Sequence, residues 1–271
     1  MKLVNLAKTA AVVSFVHLKN VLHKEDIPLS QQVKQVMDLV YSKGYCVVQN
    51  FLSIDECQSL REEVDQVLAA HADELWKDKI GADKRAFGID RVSEKIKSLF
   101  YKHSFIVATR EAYYQLGEQH LLGCTMANRI EAKSNNLGSG GGWHRDSVNV
   151  RQFKAILYLT DVTEKNGAFQ YVTGTQDRNT VFEGILKHSF HYKHNRFTPK
   201  EIEKILVDRK HELHTLTGKA GTLILVDTSG IHRGKPIEVG VRYALTNYYW
   251  IRKEKGGKDI PIDIQKIMLK K

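Results

Sequence analysis

Residues 138–146 form the stretch Gly-Ser-Gly-Gly-Gly-Trp-His-Arg-Asp, in which a run of glycines leads into Trp143-His144-Arg145-Asp146. Side chains at positions i and i+2 of an extended chain point to the same side, so His144 and Asp146 can offer a nitrogen and a carboxylate oxygen to one point. His232 follows an apolar strand 88 residues later (232 − 144 = 88). These residue types form the facial triad of non-haem Fe(II) sites, although an isolated His-x-Asp pair is also compatible with ordinary hydrogen bonding.

A positively charged residue follows the second histidine at a short distance. Arg242 lies ten positions after His232 (242 − 232 = 10), on what the pattern predicts to be the next strand of a hairpin. A buried arginine is costly without an anion, and its guanidinium binds a carboxylate through two parallel hydrogen bonds. A dicarboxylate that reaches both the metal and Arg242 would explain both features, whereas the alternative is an arginine on the surface of a strand.

The chain before residue 121 has a mainly helical pattern. Apolar residues at helical spacing predict a helix over 30–42, and Gly44 stands where that helix would stop. A strand over 45–51 follows, and Ser53-Ile-Asp-Glu56 is a capping box in front of a further helix. Residues 73–120 are predicted to be mostly helical.

From about residue 121 the pattern changes to short apolar and polar alternations separated by turn residues, which is typical of antiparallel β structure. The predicted strands are 123–133, 151–160, 168–172, 221–227 and 242–251. Many short strands around one centre predict a mainly β fold with flanking helices and a jelly-roll or barrel core. Without repeats or linkers, we expect one domain over 1–271, with a helical part at about 1–120, a jelly-roll core at about 121–251 and a lid insertion at about 175–220.

From about residue 44 to residue 250 the chain resembles the phytanoyl-CoA dioxygenase family of iron and 2-oxoglutarate oxygenases. The segments that carry the resemblance are 44–53, 143–146, 157–168, 173–175 and 221–227, followed by His232 and Arg242. They occur in the family's order and cover most of the chain. The resemblance implies a double-stranded β-helix core of the cupin type.

The resemblance also implies roles for individual residues. His144, Asp146 and His232 match the family's metal ligands and Arg242 its cosubstrate arginine. Further cosubstrate contacts are expected near Asn128 or Lys133, on the strand before the metal motif, and near Tyr158 or Thr160, on the strand after it. Halogenating relatives replace the metal carboxylate with a small residue, so the presence of Asp146 favours hydroxylation.

One position departs from the family pattern. Some members have a serine two places after the distal histidine that helps to hold the cosubstrate carboxylate, whereas this chain has Gly234. Thr246, further along the strand of Arg242, is a candidate for the missing contact.

We therefore expect an oxidoreductase, an Fe(II)- and 2-oxoglutarate-dependent dioxygenase that uses O2 to hydroxylate a small, possibly anionic, organic substrate. The metal, 2-oxoglutarate and O2 carry the chemistry while the protein supplies geometry. Three alternatives stay open: a metal-free jelly-roll module that binds an acidic sugar or nucleotide, a nucleic-acid-binding protein, and a cupin-type dioxygenase without 2-oxoglutarate. Arg242 argues against the last, and no docking-helix motif supports nucleic acid.

Charge and cysteine content indicate partners and compartment. A formal charge of +10 and a pI near 9.3 favour a phosphate- or carboxylate-bearing small molecule or simply a solvated basic surface. Three widely spaced cysteines fit a reducing compartment, so we expect a cytoplasmic protein. The apolar amino terminus is interrupted by Lys8 and is too short to span a bilayer, which favours an amphipathic helix. The oligomeric state is left open.

Five histidines cluster in the expected lid. They are His188, His191, His194, His211 and His214. No cysteine pair or consistent zinc spacing accompanies them, so solvated or substrate-facing lid histidines are a better interpretation than a second metal site.

Overall fold

The computed structural model describes residues 2–22, 24–207, 210–255, 257 and 259–270. The described helices are α1 (Lys2–Leu22), α2 (Gln31–Lys43), α3 (Ile54–Ala70), α4 (Glu94–Ile96), α5 (Ser104–Tyr114), α6 (Asn179–His188), α7 (Pro199–Leu206) and α8 (Ile262–Lys266). The described strands are β1 (Tyr45–Val48), β2 (Trp76–Lys77), β3 (Asp83–Phe87), β4 (Leu121–Glu131), β5 (Phe153–Tyr158), β6 (Phe169–Val172), β7 (Leu213–Leu216), β8 (Leu223–Asp227), β9 (His232–Gly234) and β10 (Val241–Ile251). A π-helical turn, Lys97–Tyr101, continues α4, and short 3-10 turns occupy Ile89–Arg91, Glu118–His120 and Lys253–Lys255.

The strands form two antiparallel sheets. The large sheet has the order β1-β8-β5-β10-β4-β3-β2, and the small sheet has the order β7-β6-β9. Both orders contain neighbours that are far apart in the chain, as in β1 with β8 and β6 with β9. This arrangement, with helices on the outside of the large sheet, is the expected double-stranded β-helix, so the predicted fold class is confirmed.

The central strands of the large sheet are buried on both faces. All six residues of β5 and all five of β8 are buried. Ala155 and Leu157 point to the helices α2, α3 and α5, whereas Ile156 and Tyr158 point to the interior between the sheets. Each fully buried leucine of this kind contributes about 1.5–3 kcal/mol relative to an exposed one. The helical layer therefore fixes the back of the sheet whose front carries the site.

The amino-terminal helices end where the sequence predicts. Gly44 has φ 92°, a left-handed conformation that closes α2, and Ser53 and Glu56 form the predicted capping box of α3. A second capping box, formed by Thr198 and Glu201, begins α7. Such caps are worth about 1 kcal/mol each because they satisfy otherwise unpaired amide groups.

Two regions contain strands that the sequence pattern does not reveal. Within 73–120, which we expected to be mostly helical, β2 and β3 extend the large sheet beyond β4. Asp83 and Arg85 of β3 face the interior as an ion pair, so this strand lacks the usual apolar alternation. Within the expected lid, β7 pairs with β6, although its pattern Leu-His-Thr-Leu leaves Leu213 exposed.

The longest described helix, α1, has 21 residues. Neither it nor any other helix in the described ranges combines the length and the apolar character needed to cross a bilayer.

Candidate metal centre

Three backbone segments meet at the β9 edge of the small sheet. His144 and His232 exchange both backbone hydrogen bonds, at 2.9 and 2.8 Å, so residues 143–146 lie beside residues 231–232. On the other side, Arg145 N–H donates to the carbonyl of Asn195 at 2.9 Å and Phe197 N–H to that of Trp143 at 3.0 Å. We call these paired segments, 143–146, 195–197 and 231–232, the dividing wall. Successive side chains of an extended segment point to opposite faces, so the dividing wall has two different faces.

The front face carries the three predicted metal ligands. The distance from His144 Nε2 to Asp146 Oδ1 is 3.7 Å, and the distance from His232 Nε2 to the same oxygen is 4.0 Å. The three residues each offer one potential ligand atom, and these three atoms lie within 4.8 Å of one another. The two imidazole rings are 4.3 Å apart, centre to centre. The fold therefore brings together residues that are 88 positions apart in the chain (232 − 144 = 88).

Each histidine is oriented by its own backbone. His144 Nδ1 lies 2.9 Å from the carbonyl oxygen of Gly142, and His232 Nδ1 lies 2.9 Å from that of Gly230. A carbonyl can only accept, so both Nδ1 atoms carry the proton and both Nε2 atoms hold a lone pair. A Cβ on Gly140 would lie 2.3 Å from His144 Cε1, so the glycine at this position makes room for the ring.

Burial keeps the two imidazoles neutral. It lowers the pKa of His232 to about 3, with the neighbouring His144 acting in the same direction. Burial also lowers the pKa of His144, against the opposing effect of Asp146. Neutral imidazole nitrogens are the form that binds a metal ion.

A lysine that the sequence analysis did not single out binds the carboxylate. Lys154 Nζ lies 2.6 Å from Asp146 Oδ2, and Lys154 is only 6% exposed. Burial alone would raise the pKa of Asp146, but the charge and the hydrogen bond of Lys154 outweigh it and hold that pKa well below its usual range. Oδ2 is thereby committed to Lys154, whereas Oδ1 faces the histidines.

The front face opens into a cavity of about 740 Å³. This size is within the usual range of small-molecule sites, roughly 300–1,000 Å³. Arg242 lines it on β10 and is 4% exposed. Its Nη1 donates to the carbonyl of Gly167 and its Nη2 to Asn128 Oδ1 at 2.7 Å, while its Nε has no hydrogen-bond partner. Within the described ranges no carboxylate lies within 4.0 Å of its guanidinium.

Asn128 lines the same cavity, but both polar atoms of its side-chain amide already make hydrogen bonds to protein groups. Its nitrogen donates to Asp83 Oδ1 and its oxygen accepts from Arg242. Asp83 in turn binds Arg85 through Nε and Nη2 at 3.0 and 2.5 Å. Asn128 therefore orients the guanidinium of Arg242 and links it to a neutralised ion pair.

The remaining predicted cosubstrate residues lie in different places. Tyr158 and Thr246 line the cavity, and the Tyr158 hydroxyl donates to the Leu216 carbonyl and accepts from Phe169 N–H, both at 2.9 Å. Thr160 lies outside the described cavity lining and accepts a hydrogen bond from Tyr243 N–H at 3.3 Å. Lys133 is turned away, towards the carbonyls of Ile80 and Gly81.

The missing serine at position 234 has a steric explanation. A Cβ on Gly234 would lie 2.9 Å from Ser139 Cβ and 3.0 Å from its backbone nitrogen and oxygen. Ser139 belongs to the glycine-rich stretch, lines the cavity and accepts a hydrogen bond from Arg85 at 3.2 Å. The side chain of Ser139 therefore occupies the space that a serine at position 234 would need.

Comparison with known proteins agrees with this geometry. A sequence model of the phytanoyl-CoA dioxygenase (PhyH) family matches residues 40–238. A search of curated protein sequences gives no significant match.

Several solved structures are similar in fold. One is the epimerase SnoN in complex with Fe3+, alpha ketoglutarate and nogalamycin RO, with a TM-score of 0.59 at 18% identity over 80% of this chain and 83% of that chain. EctD from S. alaskensis with bound Fe has a TM-score of 0.61 at 18% identity over 86% and 81%. HygX from Streptomyces hygroscopicus with nickel, 2-oxoglutarate and hygromycin B has a TM-score of 0.51 at 16% identity over 82% and 87%. At sequence identities of 16–18%, the similarity to these structures establishes the fold alone.

Proposed function

Because the chain belongs to the phytanoyl-CoA dioxygenase family and is a 2-oxoglutarate-dependent oxygenase, we propose that it hydroxylates a small, negatively charged organic molecule. We further propose that His144, Asp146 and His232 bind Fe(II) and that Arg242 binds 2-oxoglutarate. The observation that carries this proposal is the convergence of two neutral imidazole nitrogens and one carboxylate oxygen on a cavity that also contains a buried guanidinium without an anionic partner.

The donor set fits a divalent iron ion. Two nitrogens and one oxygen on one face leave other coordination positions open, which is the requirement of this class of oxygenase. The Nδ1 hydrogen bonds of both histidines fix the tautomer that presents Nε2, so no rearrangement is needed before a metal binds. Lys154 holds Asp146 Oδ2, which leaves Oδ1 as the metal-facing atom.

The buried guanidinium fits a dicarboxylate cosubstrate. Transfer of an unpaired charge into the interior is expensive, and Arg242 Nε lacks any hydrogen-bond partner. A carboxylate beside Arg242 would satisfy that atom and neutralise the charge. Its position is fixed by Asn128 and by the Gly167 carbonyl, so the site is organised before the cosubstrate arrives.

Bound iron, with 2-oxoglutarate and dioxygen, supplies the oxidising power for attack on a C–H bond. The protein's own contribution is placement. Phe169 stacks on the His232 ring at 5.3 Å, and Ile156 and Ala244 add apolar cavity wall, which excludes water from the reacting region. Because Asp146 occupies the carboxylate position, we infer hydroxylation rather than halogenation.

Charge at the cavity supports an anionic substrate. Arg85 and Lys154 are neutralised by Asp83 and Asp146, but Lys79 and Arg196 also line the cavity. The Arg196 guanidinium donates to the Gly140 carbonyl and has no carboxylate partner within the described residues. A phosphate or carboxylate group of the substrate would be attracted to this side of the cavity.

The first test loads the anaerobic protein with Fe(II) and 2-oxoglutarate and records the weak visible charge-transfer band. We expect the band in the wild type and its loss in His144→Ala. His71→Ala is the matched control, because His71 pairs with Glu74 in the outer helical layer and should leave the band unchanged. Absence of the band in folded, iron-loaded wild type would contradict the metal assignment.

The second test addresses the substrate. Small carboxylates, phosphomonoesters and neutral analogues are each added to the loaded enzyme under air, and succinate formation and product mass are measured. We expect stimulation by anionic compounds only, a product heavier by one oxygen atom, and incorporation of label from 18O2. Products that lose two hydrogens, or equal stimulation by neutral analogues, would contradict this part of the proposal.

The cysteines support a reducing compartment. Cys46, Cys57 and Cys124 are all free and buried, and burial raises the pKa of Cys57 to about 11 and of Cys124 to about 12. We propose a cytoplasmic location on this basis.

A further inference from the structure

The back face of the dividing wall encloses a second cavity. Arg145, Phe197 and Ile231 alternate with the residues of the front face and point into it. Its volume is about 40 Å³, much smaller than the 740 Å³ of the front cavity. The two cavities have no lining residue in common within the described ranges, so they lie on opposite sides of the dividing wall.

Arg145 is the unexplained feature of this cavity. It is 5% exposed and lies between two of the proposed metal ligands in the chain. Its side chain makes no hydrogen bond, and no carboxylate within the described residues lies within 4.0 Å of it. Its ring contact is with Phe197, at 5.5 Å, and the charge of Asp227 acts favourably on it without forming an ion pair within 4.0 Å. Burial, with the like charge of Arg178, lowers the pKa of Arg145 to about 10.

The rest of the lining favours an anion. Four of the lid histidines surround the cavity, namely His188, His191, His194 and His211, and Lys187 also lines it. The acid in the described lining, Glu183, is bound to Lys210 at 2.6 Å. His211 is fixed by a 2.9 Å contact between its Nδ1 and the Thr173 carbonyl. The small volume excludes a nucleotide and suits one small group.

We propose that the back cavity is a second ligand site that binds a small oxyanion, either inorganic phosphate or the phosphate group of a small ester, through Arg145. Guanidinium binds phosphate oxygens through paired hydrogen bonds, and here it would gain the anion that its burial requires. A groove of about 620 Å³ adjoins the cavity and shares Thr180, Glu183 and His211 with it. Arg151 and Arg178 line this groove, which could hold the remainder of an ester.

This inference does not depend on the oxygenase reaction. Phosphate is titrated calorimetrically into the metal-free protein, with Arg145→Gln as the test variant and Arg242→Gln as the matched control. Both variants replace a buried arginine that lacks an acidic partner, one on each face. We expect Arg145→Gln to weaken phosphate binding at least about 10-fold, the loss of one charge-assisted hydrogen bond, and Arg242→Gln to change it little.

Thermal unfolding separates ligand binding from a structural role. If Arg145 serves a ligand, Arg145→Gln removes an uncompensated buried charge, so without phosphate its Tm should equal or exceed that of the wild type. Phosphate should then raise the Tm of the wild type and not that of the variant. A structural role predicts a lower Tm for Arg145→Gln and equal shifts with phosphate, which would overturn the proposal.

The remaining outcomes are equally decisive. No wild-type binding at up to about 10 mM phosphate would be weaker than a built site allows and would overturn the proposal. Loss of binding in Arg242→Gln with retention in Arg145→Gln would place the anion in the front cavity instead. Glycerol 3-phosphate distinguishes the two sources: tighter binding than inorganic phosphate identifies an ester that uses the groove, and weaker binding identifies the free ion.

Discussion

The two faces of the dividing wall use the same residue type in different ways. On the front, Arg242 is held by Asn128 and the Gly167 carbonyl and borders a cavity of about 740 Å³. On the back, Arg145 makes no side-chain hydrogen bond and borders a cavity of about 40 Å³. Both guanidinium groups are buried, and both have an unsatisfied Nε. We propose that the front arginine binds a cosubstrate and that the back arginine obtains its hydrogen bonds from a small oxyanion.

The comparison shows how a short motif can serve two sites. In Trp143-His144-Arg145-Asp146 the two proposed metal ligands, His144 and Asp146, line the front cavity, whereas Arg145 between them lines the back cavity. Adjacency in sequence therefore says little about shared function when the segment is extended. Lys154, a cation on the front face, differs from both arginines because it forms an ion pair with a carboxylate, that of Asp146.

The largest effect is expected for Lys154→Met, which breaks a buried ion pair. In the metal-free protein it leaves Asp146 without its partner, and we expect the free energy of unfolding to fall by about 3 kcal/mol. Arg145→Gln on the back face should cost little, because Asp227, whose charge acts on Arg145, keeps its hydrogen bonds from Ser229. Fe(II) should restore more stability to Lys154→Met than to the wild type, since the metal replaces the lost positive charge. Chemical denaturation with and without metal measures both.

A surface ion pair provides the control for this change. Lys219 binds Asp161 at 2.7 Å, nearly the same distance, but its side chain is 79% exposed. Lys219→Met should therefore change stability by less than about 1 kcal/mol. Equal losses in Lys154→Met and Lys219→Met would show that burial does not distinguish the two pairs.

The next effect concerns cosubstrate binding. Arg242→Gln removes the charge-assisted hydrogen bonds to a 2-oxoglutarate carboxylate, and we expect its KM for 2-oxoglutarate to rise about 10- to 100-fold. Arg145 is on the opposite face of the dividing wall from Arg242. Arg145→Gln should therefore change this KM by less than about twofold, because substitutions at independent sites have little effect on each other. Succinate formation at varied 2-oxoglutarate concentration measures both. Similar increases in the two variants would mean that the faces do not act separately.

The smallest effect is expected from restoring the family's serine. Gly234→Ser places new atoms against Ser139, and we expect a loss of about 1 kcal/mol in stability, with no tighter binding of 2-oxoglutarate. Gly234→Ala separates the added bulk from the added hydroxyl, and the two variants should behave alike. A lower KM for 2-oxoglutarate in Gly234→Ser alone would show that the front cavity does lack a hydroxyl there.

The sequence was most informative where residue type and spacing act together. The capping box of Ser53 and Glu56 depends on local geometry alone, and the structure confirms it. His144 and Asp146 were proposed because His-x-Asp places two side chains on one face, and His232 because it completes the residue types of a facial triad. The family resemblance supported the approach of His232, since no local pattern specifies contacts across 88 residues.

Other features were hidden because they depend on tertiary partners. The strand β3 lacks apolar alternation because Asp83 and Arg85 neutralise each other inside the fold. Lys154 did leave a signal, as a charged residue within an apolar strand, but its partner Asp146 could not be inferred from that strand alone. Thr160 was a candidate because it lies on the predicted strand 151–160, and the hydrogen bond that its hydroxyl accepts from the Tyr243 backbone could not be inferred from that strand alone.

The pairing of β1 with β8 also bears on how the protein folds. Tyr45 to Val48 take their register from residues 223–226, and β8 separates β1 from the rest of the large sheet. A nascent chain on the ribosome therefore cannot pair its first strand until β8 has emerged. Folds governed by such distant contacts form in roughly milliseconds to seconds, more slowly than helical bundles. We expect the helical layer, although synthesised first, to complete its packing only after translation of residue 227.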